Sequence, residues 1–406
     1  MSAAVLISLF WFFYFAGVGI YFPYWSLYLR ENAGLTATEV GIVLAAWPLV
    51  GLITQPWWGY VADRTGHRSS VLVVLSLGAA AGFYTMSTVS GFIPWMVVSS
   101  LTAAFATAVV PVLFSISFGA LRDSGPHAFG YTRVWGTIGF LILVITFPWW
   151  LHRHQRALRL IALPGGPSEP GLEVMFPLIA MFAAIAAAVA LFLPRHGVVA
   201  ARAGGGEWRH LLRHPPLLRL TLFTLLGYLC TQGPMVLFPM YIRALGGSID
   251  TVGTMWVFMV MLEIPLVLAS GGALVRFGVR ALIGIGALAA GVRWLICAVS
   301  GDMTTIYAAQ LLHGVVVAGL MLGPPLYLDA IVPAELRSSG QTIVSMISIG
   351  IGAMLSTVLS GWLMDHYGIH APYLIGGTGA VLLALAARWL IPPPRRLALP
   401  AQIKPS

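Results

Sequence analysis

Apolar runs of bilayer length follow one another along the whole chain, divided by short polar or glycine-rich punctuation. A membrane-crossing helix needs about 20 predominantly apolar residues. Twelve runs are expected to span, at approximately 4–29, 39–58, 70–89, 93–121, 131–150, 173–193, 217–242, 252–274, 280–300, 303–328, 340–364 and 372–391. Turn-forming clusters stand between them, such as Glu31-Asn32-Ala33-Gly34, Ser90-Gly91, Asp123-Ser124-Gly125-Pro126, Gly246-Gly247-Ser248 and Ser300-Gly301-Asp302. The first run has no Lys or Arg ahead of it and is too long for a signal-peptide core, so it reads as an uncleaved first helix. Two connections are longer: Leu151 to Glu173, with the breaker run Pro164-Gly165-Gly166-Pro167, and Pro194 to Pro216, with Gly204-Gly205-Gly206 at its middle. The second falls near the chain midpoint. The pattern predicts an all-α integral membrane protein of twelve transmembrane helices in two six-helix pseudo-repeats. Its parts are a first bundle over 1–193, a linker over 194–216, a second bundle over 217–391 and a tail over 392–406.

Composition agrees with this pattern. Hydrophobic residues make up 59% of the chain and charged residues 9%, against roughly a quarter charged in a soluble domain. A water-soluble globule is excluded, and the spans leave no room for a separate soluble domain. The formal charge of +9 is spread over short loops and not gathered into a nucleic-acid patch, so the lipid bilayer is the implied partner. Placing both termini in the cytoplasm puts 16 of the 22 Lys and Arg at inner loops or ends. Five fall outside, namely Arg30, Arg153, Arg156, Arg159 and Arg243, and Arg293 stays within a span. The basic loop at 151–172 runs against the bias, but the majority predicts a multi-pass protein of a bacterial-type inner (plasma) membrane with both termini cytoplasmic. Cys230 and Cys297 both lie inside apolar runs, which suggests neither a disulfide framework nor a metal site. His152 and His154 form an H-x-H without a third ligand nearby and read as solvated loop histidines.

The stretch Gly59-Tyr60-Val61-Ala62-Asp63-Arg64-Thr65-Gly66-His67-Arg68 lies between the second and third spans. It reads as a tight reversal bounded by Gly59 and Gly66, with Asp63 placed to accept backbone N–H groups and Arg64 and Arg68 on the cytoplasmic side. A generic positive loop is the plainer reading. A partial copy, with Arg276, Gly278 and Arg280 in place of Arg64, Gly66 and Arg68, lies 212 residues on and has Val275 where Asp63 stands. Tyr28-Leu29-Arg30 and Tyr241-Ile242-Arg243 match at an offset of 213, as do Pro111 and Pro324. A nearly constant offset at three places argues for duplication, the sequence trace of alternating-access transporters. A third turn, Gly361-x-x-x-Asp365-x-x-Gly368, repeats the glycine and aspartate pattern after the eleventh span.

The pattern G-x-x-A-D-R-x-G-x-R resembles the loop between the second and third helices of major facilitator superfamily transporters. That resemblance implies two parallel six-helix bundles that rock about a central solute site, with Gly59, Asp63, Arg64, Gly66 and Arg68 acting as a conformational hinge motif.

Three charged or titratable residues stand inside the predicted spans, where a charge costs a few kcal/mol and needs a partner or a function. They are Glu263 in span eight, Arg293 in span nine and His313 in span ten. At about 1.5 Å per residue they lie roughly 18, 10 and 15 Å below the outer ends of their spans, close enough to meet if their helices do. Glu263 reads as a proton site, or else as half of a structural ion pair with Arg293. Arg293 is either that partner or a substrate contact. His313 is a proton relay, a ligand or a hydrogen-bonded core residue. Tyr21, Tyr24, Trp25, Gln232 and Gln310 are further candidates to hydrogen-bond or stack on a solute. Gly17, Gly19, Gly350 and Gly352 offer small faces for close helix packing.

Glu on helix eight, Arg on nine and His on ten resemble the lactose permease branch of the superfamily and its phenylpropionate-permease-like relatives. Phe129-Gly130-Tyr131-Thr132-Arg133-Val134-Trp135-Gly136 is similar to that branch's fifth-helix motif F-G-x-x-R-x-[FW]-G. The resemblance implies that Arg133 is a substrate-binding arginine and that Phe140 is the aromatic residue stacking on the solute. It also implies that Glu263 helps bind substrate, while Arg293 and His313 serve proton coupling and helix contacts. From the residues alone, Arg133 also reads as an arginine snorkelling at the inner end of span five. The second helix-ten carboxylate of that branch is replaced by Val316, and Ser115, Ser117 and Gly119 occupy the region of its helix-four carboxylate. Glu263 is thereby left to serve both binding and proton work.

The expected function is proton-coupled symport, by alternating access, of a small organic solute such as a sugar, nucleoside or aromatic acid. A drug exporter or a proton-independent facilitator on the same fold is the alternative. Protons and the solute are the partners, and the protein is expected to act as a monomer. No nucleotide-binding loop is present, so an ion gradient replaces ATP and no cofactor is implied. An enzyme would need a nucleophile–base or metal constellation, and the chain offers none.

Overall fold

A computed structural model describes residues 2–121, 124, 128–158, 160, 169–194, 211–333 and 336–393, without the side chains of 267–276. Most of the 194–216 connection, nearly all of the tail, and the charges at 122, 123, 159, 195, 202 and 209 therefore lie outside the described residues.

The spans are α1 (Ala3–Glu31), α2 (Ala37–Thr65), α3 (Arg68–Met86), α4 (Phe92–Ala120), α5 (Ala128–Ala157), α6 (Leu172–Ala190), α7 (Pro215–Val236), α8 (Ile249–Leu266), α9 (Phe277–Val299), α10 (Met303–Ile331), α11 (Arg337–Tyr367) and α12 (Ala371–Leu390). α7 continues through a 46° bend into Phe238–Ala244, which completes its crossing. The described residues contain no strand.

Of the helix ends that differ from the sequence expectation, those of α2 and α5 change the reading of particular residues. α2 runs on to Thr65, so Gly59, Asp63 and Arg64 are helical and the reversal is confined to Gly66 and His67. Gly66 takes φ 68° as the left-handed C-cap, a conformation glycine adopts without a Cβ penalty. Gly278, its counterpart in the second half, breaks the helical backbone at the start of α9 with φ 79°. α5 runs on to Ala157, so His152 and His154 are helical and not loop residues; basic and polar side chains extend a helix beyond hydrocarbon as readily as apolar ones.

Within the first half, α1 packs on α5 and α6, α2 on α4, and α3 on α4 and α6. In the second half α12 packs on α7 and α9, and α11 packs on α7. Across the halves, α2 meets α11, α5 meets α8, and α1 meets the continuation of α7.

The apolar core has a corresponding division. One large cluster unites both halves, with Tyr24, Trp25 and Phe147 from the first and Tyr241, Trp256 and Tyr373 from the second. Toward the other end the core splits: Leu6, Leu72, Leu113 and Leu193 pack within the first half, whereas Leu217, Ile283, Tyr327 and Ile391 pack within the second. The halves are joined at the end that carries Asp365 and have separate cores at the end that carries Asp63.

Candidate functional site

Arg293 is the charge most enclosed by α7 to α10, at 2% exposure. Its Nε donates to Gln310 Oε1 at 2.9 Å and its Nη1 to His313 Nδ1 at 2.9 Å. Its Nη2 lies 3.4 Å from the sulfurs of both Met235 and Met259. A guanidinium only donates, so His313 Nδ1 is the acceptor, and a neutral ring then carries its proton on Nε2. That nitrogen faces Glu263 Oε2 at 3.8 Å.

The structure therefore brings Glu263, Arg293 and His313 together in the order Gln310, Arg293, His313, Glu263. A direct Glu263–Arg293 ion pair, one of the readings open from sequence, is not the arrangement formed, because the imidazole stands between them. Gly314 explains the placement. A Cβ there would meet Leu262 O at 2.9 Å and Glu263 Cα at 3.1 Å, so α10 lies directly on the α8 backbone and its preceding residue falls beside Glu263. Gln310 precedes His313 by one turn and so shares its helix face.

Of these groups, Arg293 and His313 border a cavity between the halves that has two lobes. One, of about 240 Å³, is lined by Gln232, Met235, Trp256, Arg293, Trp294 and His313. The other, of about 410 Å³, is lined by Tyr21, Trp25, Trp47, Gln55, Phe83 and Thr357. Phe22 and Gln232 border both lobes. The rings of Tyr21, Trp25 and Trp47 pack on one another in tilted and edge-on pairs with centroids 4.4 to 5.3 Å apart, forming an aromatic wall.

The other sequence candidates fall in different settings. Arg133 lays its guanidinium over Trp11 at 4.5 Å and Phe15 at 4.4 Å. Phe140 is partly buried and meets Trp256 at 6.1 Å between centroids. Tyr24 is fully buried, donates to Val144 O at 3.1 Å and packs on Phe147. In the hinge motif, Arg68 pairs with Asp63 at 2.7 Å, so Asp63 reaches a side chain in place of the backbone donors expected of it. Arg64 donates to the Tyr60 hydroxyl at 2.9 Å.

Sequence reasoning passed over Trp256, which meets Phe22 at 5.1 Å on the cavity wall. The signal was available, since Trp256 precedes Glu263 by seven residues, two turns along the same face of α8. It also passed over the polar contacts that cross between halves. Arg243 binds Glu31 at 3.1 Å and Glu169 at 2.7 Å, and His152 binds Asp250 at 2.8 Å. All three lie at the Asp365 end.

A profile of the MFS_1 like family matches residues 4–375. The chain belongs to that family. Among its relatives, the maltose permease of Geobacillus stearothermophilus is 29% identical over 389 residues, covering 94% of this chain and 93% of the permease. The Probable 3-phenylpropionic acid transporter of Escherichia coli (strain K12) is 24% identical over 409 residues, covering 95% and 96% of the two chains. The crystal structure of the nucleoside transporter NupG has a TM-score of 0.83 at 16% identity, over 97% of this chain and all of that one. That of a D-xylose-proton symporter has a TM-score of 0.71 at 14% identity, over 96% and 97%. The MFS_1-like chain is thus a multi-pass membrane protein of the major facilitator fold, a solute transporter and not an enzyme.

Proposed function

We propose that this transporter couples uptake of a small ring-bearing organic solute to proton entry, with Glu263 as the proton site. The observation that carries the proposal is the chain Glu263–His313–Arg293, whose His313 and Arg293 stand in the cavity wall with Glu263 behind the imidazole. An ionised carboxylate at membrane depth needs compensation, and Arg293 supplies it through the intervening imidazole. Protonation of Glu263 removes that charge and loosens its hold on His313 Nε2–H. This donor then turns toward a solute oxygen or nitrogen in the adjoining lobe. Proton and solute thereby help each other to bind at one imidazole, which is the thermodynamic requirement for coupling.

The aromatic wall of the larger lobe suits a ring, and Gln232, reaching both lobes, suits its hydroxyl or carbonyl groups. We assign Arg133 and Phe140, which line neither lobe in the state seen here, to closing on the solute from the first half. The relatives' names support sugars, nucleosides and aromatic acids as the classes to screen. The positive-inside bias supports a plasma-membrane protein with cytoplasmic termini. In that orientation the Asp365 end is external, and the united core there makes this an inward-facing conformation.

The test is alkalinisation of the medium outside proteoliposomes on addition of each solute class, with Glu263→Gln alongside. One class should move protons inward with the native protein, while the variant exchanges solute without moving protons. Solute entry without protons, or a variant that behaves like the native protein, would sink the proton role of Glu263.

A further inference from the structure

Asp365 ends α11, yet its carboxylate serves the start of a helix in the other half. Its Oδ1 accepts from the backbone N–H of Ala37 at 3.0 Å, and its Oδ2 from that of Thr38 at 2.7 Å and from the Thr38 hydroxyl at 2.6 Å. α2 also has a cap of its own. Thr36 Oγ1 accepts from the N–H of Glu39 at 3.2 Å, and Glu39 Oε2 accepts from the N–H of Thr36 at 2.8 Å. The labour is divided: the third helical N–H is satisfied from within α2, the first two from across the halves. A carboxylate at a helix N-terminus also meets the positive end of the helix dipole.

We propose that Asp365 is a detachable cap, binding α2 in trans while the halves are joined at this end and leaving it to water when they part. Its energy favours the state seen here. The surroundings fit a contact that closes and opens as a unit. Gly361, one turn before Asp365, abuts the carbonyl of Ala37, and a Cβ on Gly41 would lie 2.6 Å from the carbonyl of Thr357, so α2 and α11 touch backbone to backbone. Beside them Arg30, Glu31, Arg243 and Asp365 surround a polar hollow of about 390 Å³. Among the described residues, every ion pair that crosses between the halves lies at this end. Because the internal capping box stays with α2, the helix keeps its fold when the trans cap departs. The third Gly/Asp/Gly turn of the sequence thus acquires a task in the switch. The inference rests on the two halves moving against each other, and not on proton coupling.

The experiment reads distance. Spin labels at Ser90→Cys and Thr304→Cys, exposed positions of opposite halves at this end, are measured by electron spin echo in a Cys230→Ala, Cys297→Ala background. With no solute present, Asp365→Ala should raise the ratio of separated to joined populations about tenfold, and Asp365→Asn, which keeps acceptor and shape, should raise it less. Glu39→Ala, which breaks the internal cap on the same turn, should leave the distances as they are. Unchanged distributions in both Asp365 variants would overturn the proposal. So would equal separation in Glu39→Ala, which would mean that fraying of α2 and not a trans cap is being read. Should Asp365→Ala fail to fold, Thr38→Val removes only the hydroxyl contact and should still shift the ratio in the same direction.

Discussion

Arg293 uses its fork of donors in three directions at once, and that makes it irreplaceable by charge alone. Truncation to alanine leaves Gln310 and His313 with unmet acceptors in a buried site and Glu263 without compensation. A loss of about 3 kcal/mol is expected, seen as a lowered unfolding temperature in detergent. Arg293→Lys keeps the charge but not the fork, so it should recover less than half of that loss. Recovery to native stability would mean that only the charge matters. The three intramembrane charged or titratable residues were legible in the sequence because hydrocarbon makes such residues expensive and therefore rare. Their order of contact was not. It depends on how α8 and α10 are rotated about their own axes, which the close approach at Gly314 decides.

At the scale of the element, chain reversals follow local chemistry. Asp302 caps the start of α10, and its hydrogen bonds from the Thr305 hydroxyl and backbone N–H hold its carboxyl below the usual carboxylate range. A carboxyl with a depressed pKa stabilises above its unfolded value and loses that contribution as the pH falls through the folded one. Hydrogen exchange at the Thr305 amide, corrected for its intrinsic pH dependence, should therefore be protected at neutral pH and lose protection below about pH 4. Protection that persists in acid would show that the cap does not depend on the charge. α7 needs more than local chemistry. Pro234 cannot donate a backbone hydrogen bond, and Ser356 of α11 accepts from the Gly233 N–H and donates to Leu229 O, both at 2.7 Å, next to the bend. The proline announces a break, but its partner is 123 residues away in sequence. The hinge motif shows the same limit. Gly66 was readable as a turn, whereas Gly59 looks alike in the sequence and yet lies inside α2.

The whole molecule is two six-helix halves that share a core at one end and keep separate cores at the other. The proposed orientation predicts that alkaline phosphatase fused after Gly246 is active in intact bacterial cells and that a fusion after Gly66 is not. The reverse result would invert the molecule and make the conformation outward-facing. The basic residues that argue for this orientation can be counted from the sequence alone, and the described ones stand mostly toward the ends of helices. The polar contacts at the Asp365 end could not be counted in that way, since Arg243, Glu31 and Glu169 look like ordinary loop charges until the halves meet.

Span number, helical class, duplication and the identity of the intramembrane charges were determined by sequence, because bilayer thickness and the cost of charge in hydrocarbon act on each segment separately. Which charge touches which, which end of the halves is joined, and that Asp365 serves α2 were decided only by tertiary structure. Each of these depends on the relative rotation and approach of helices far apart in sequence. Such geometry is set by small residues at crossings and by donors and acceptors that acquire partners only when the bundles assemble.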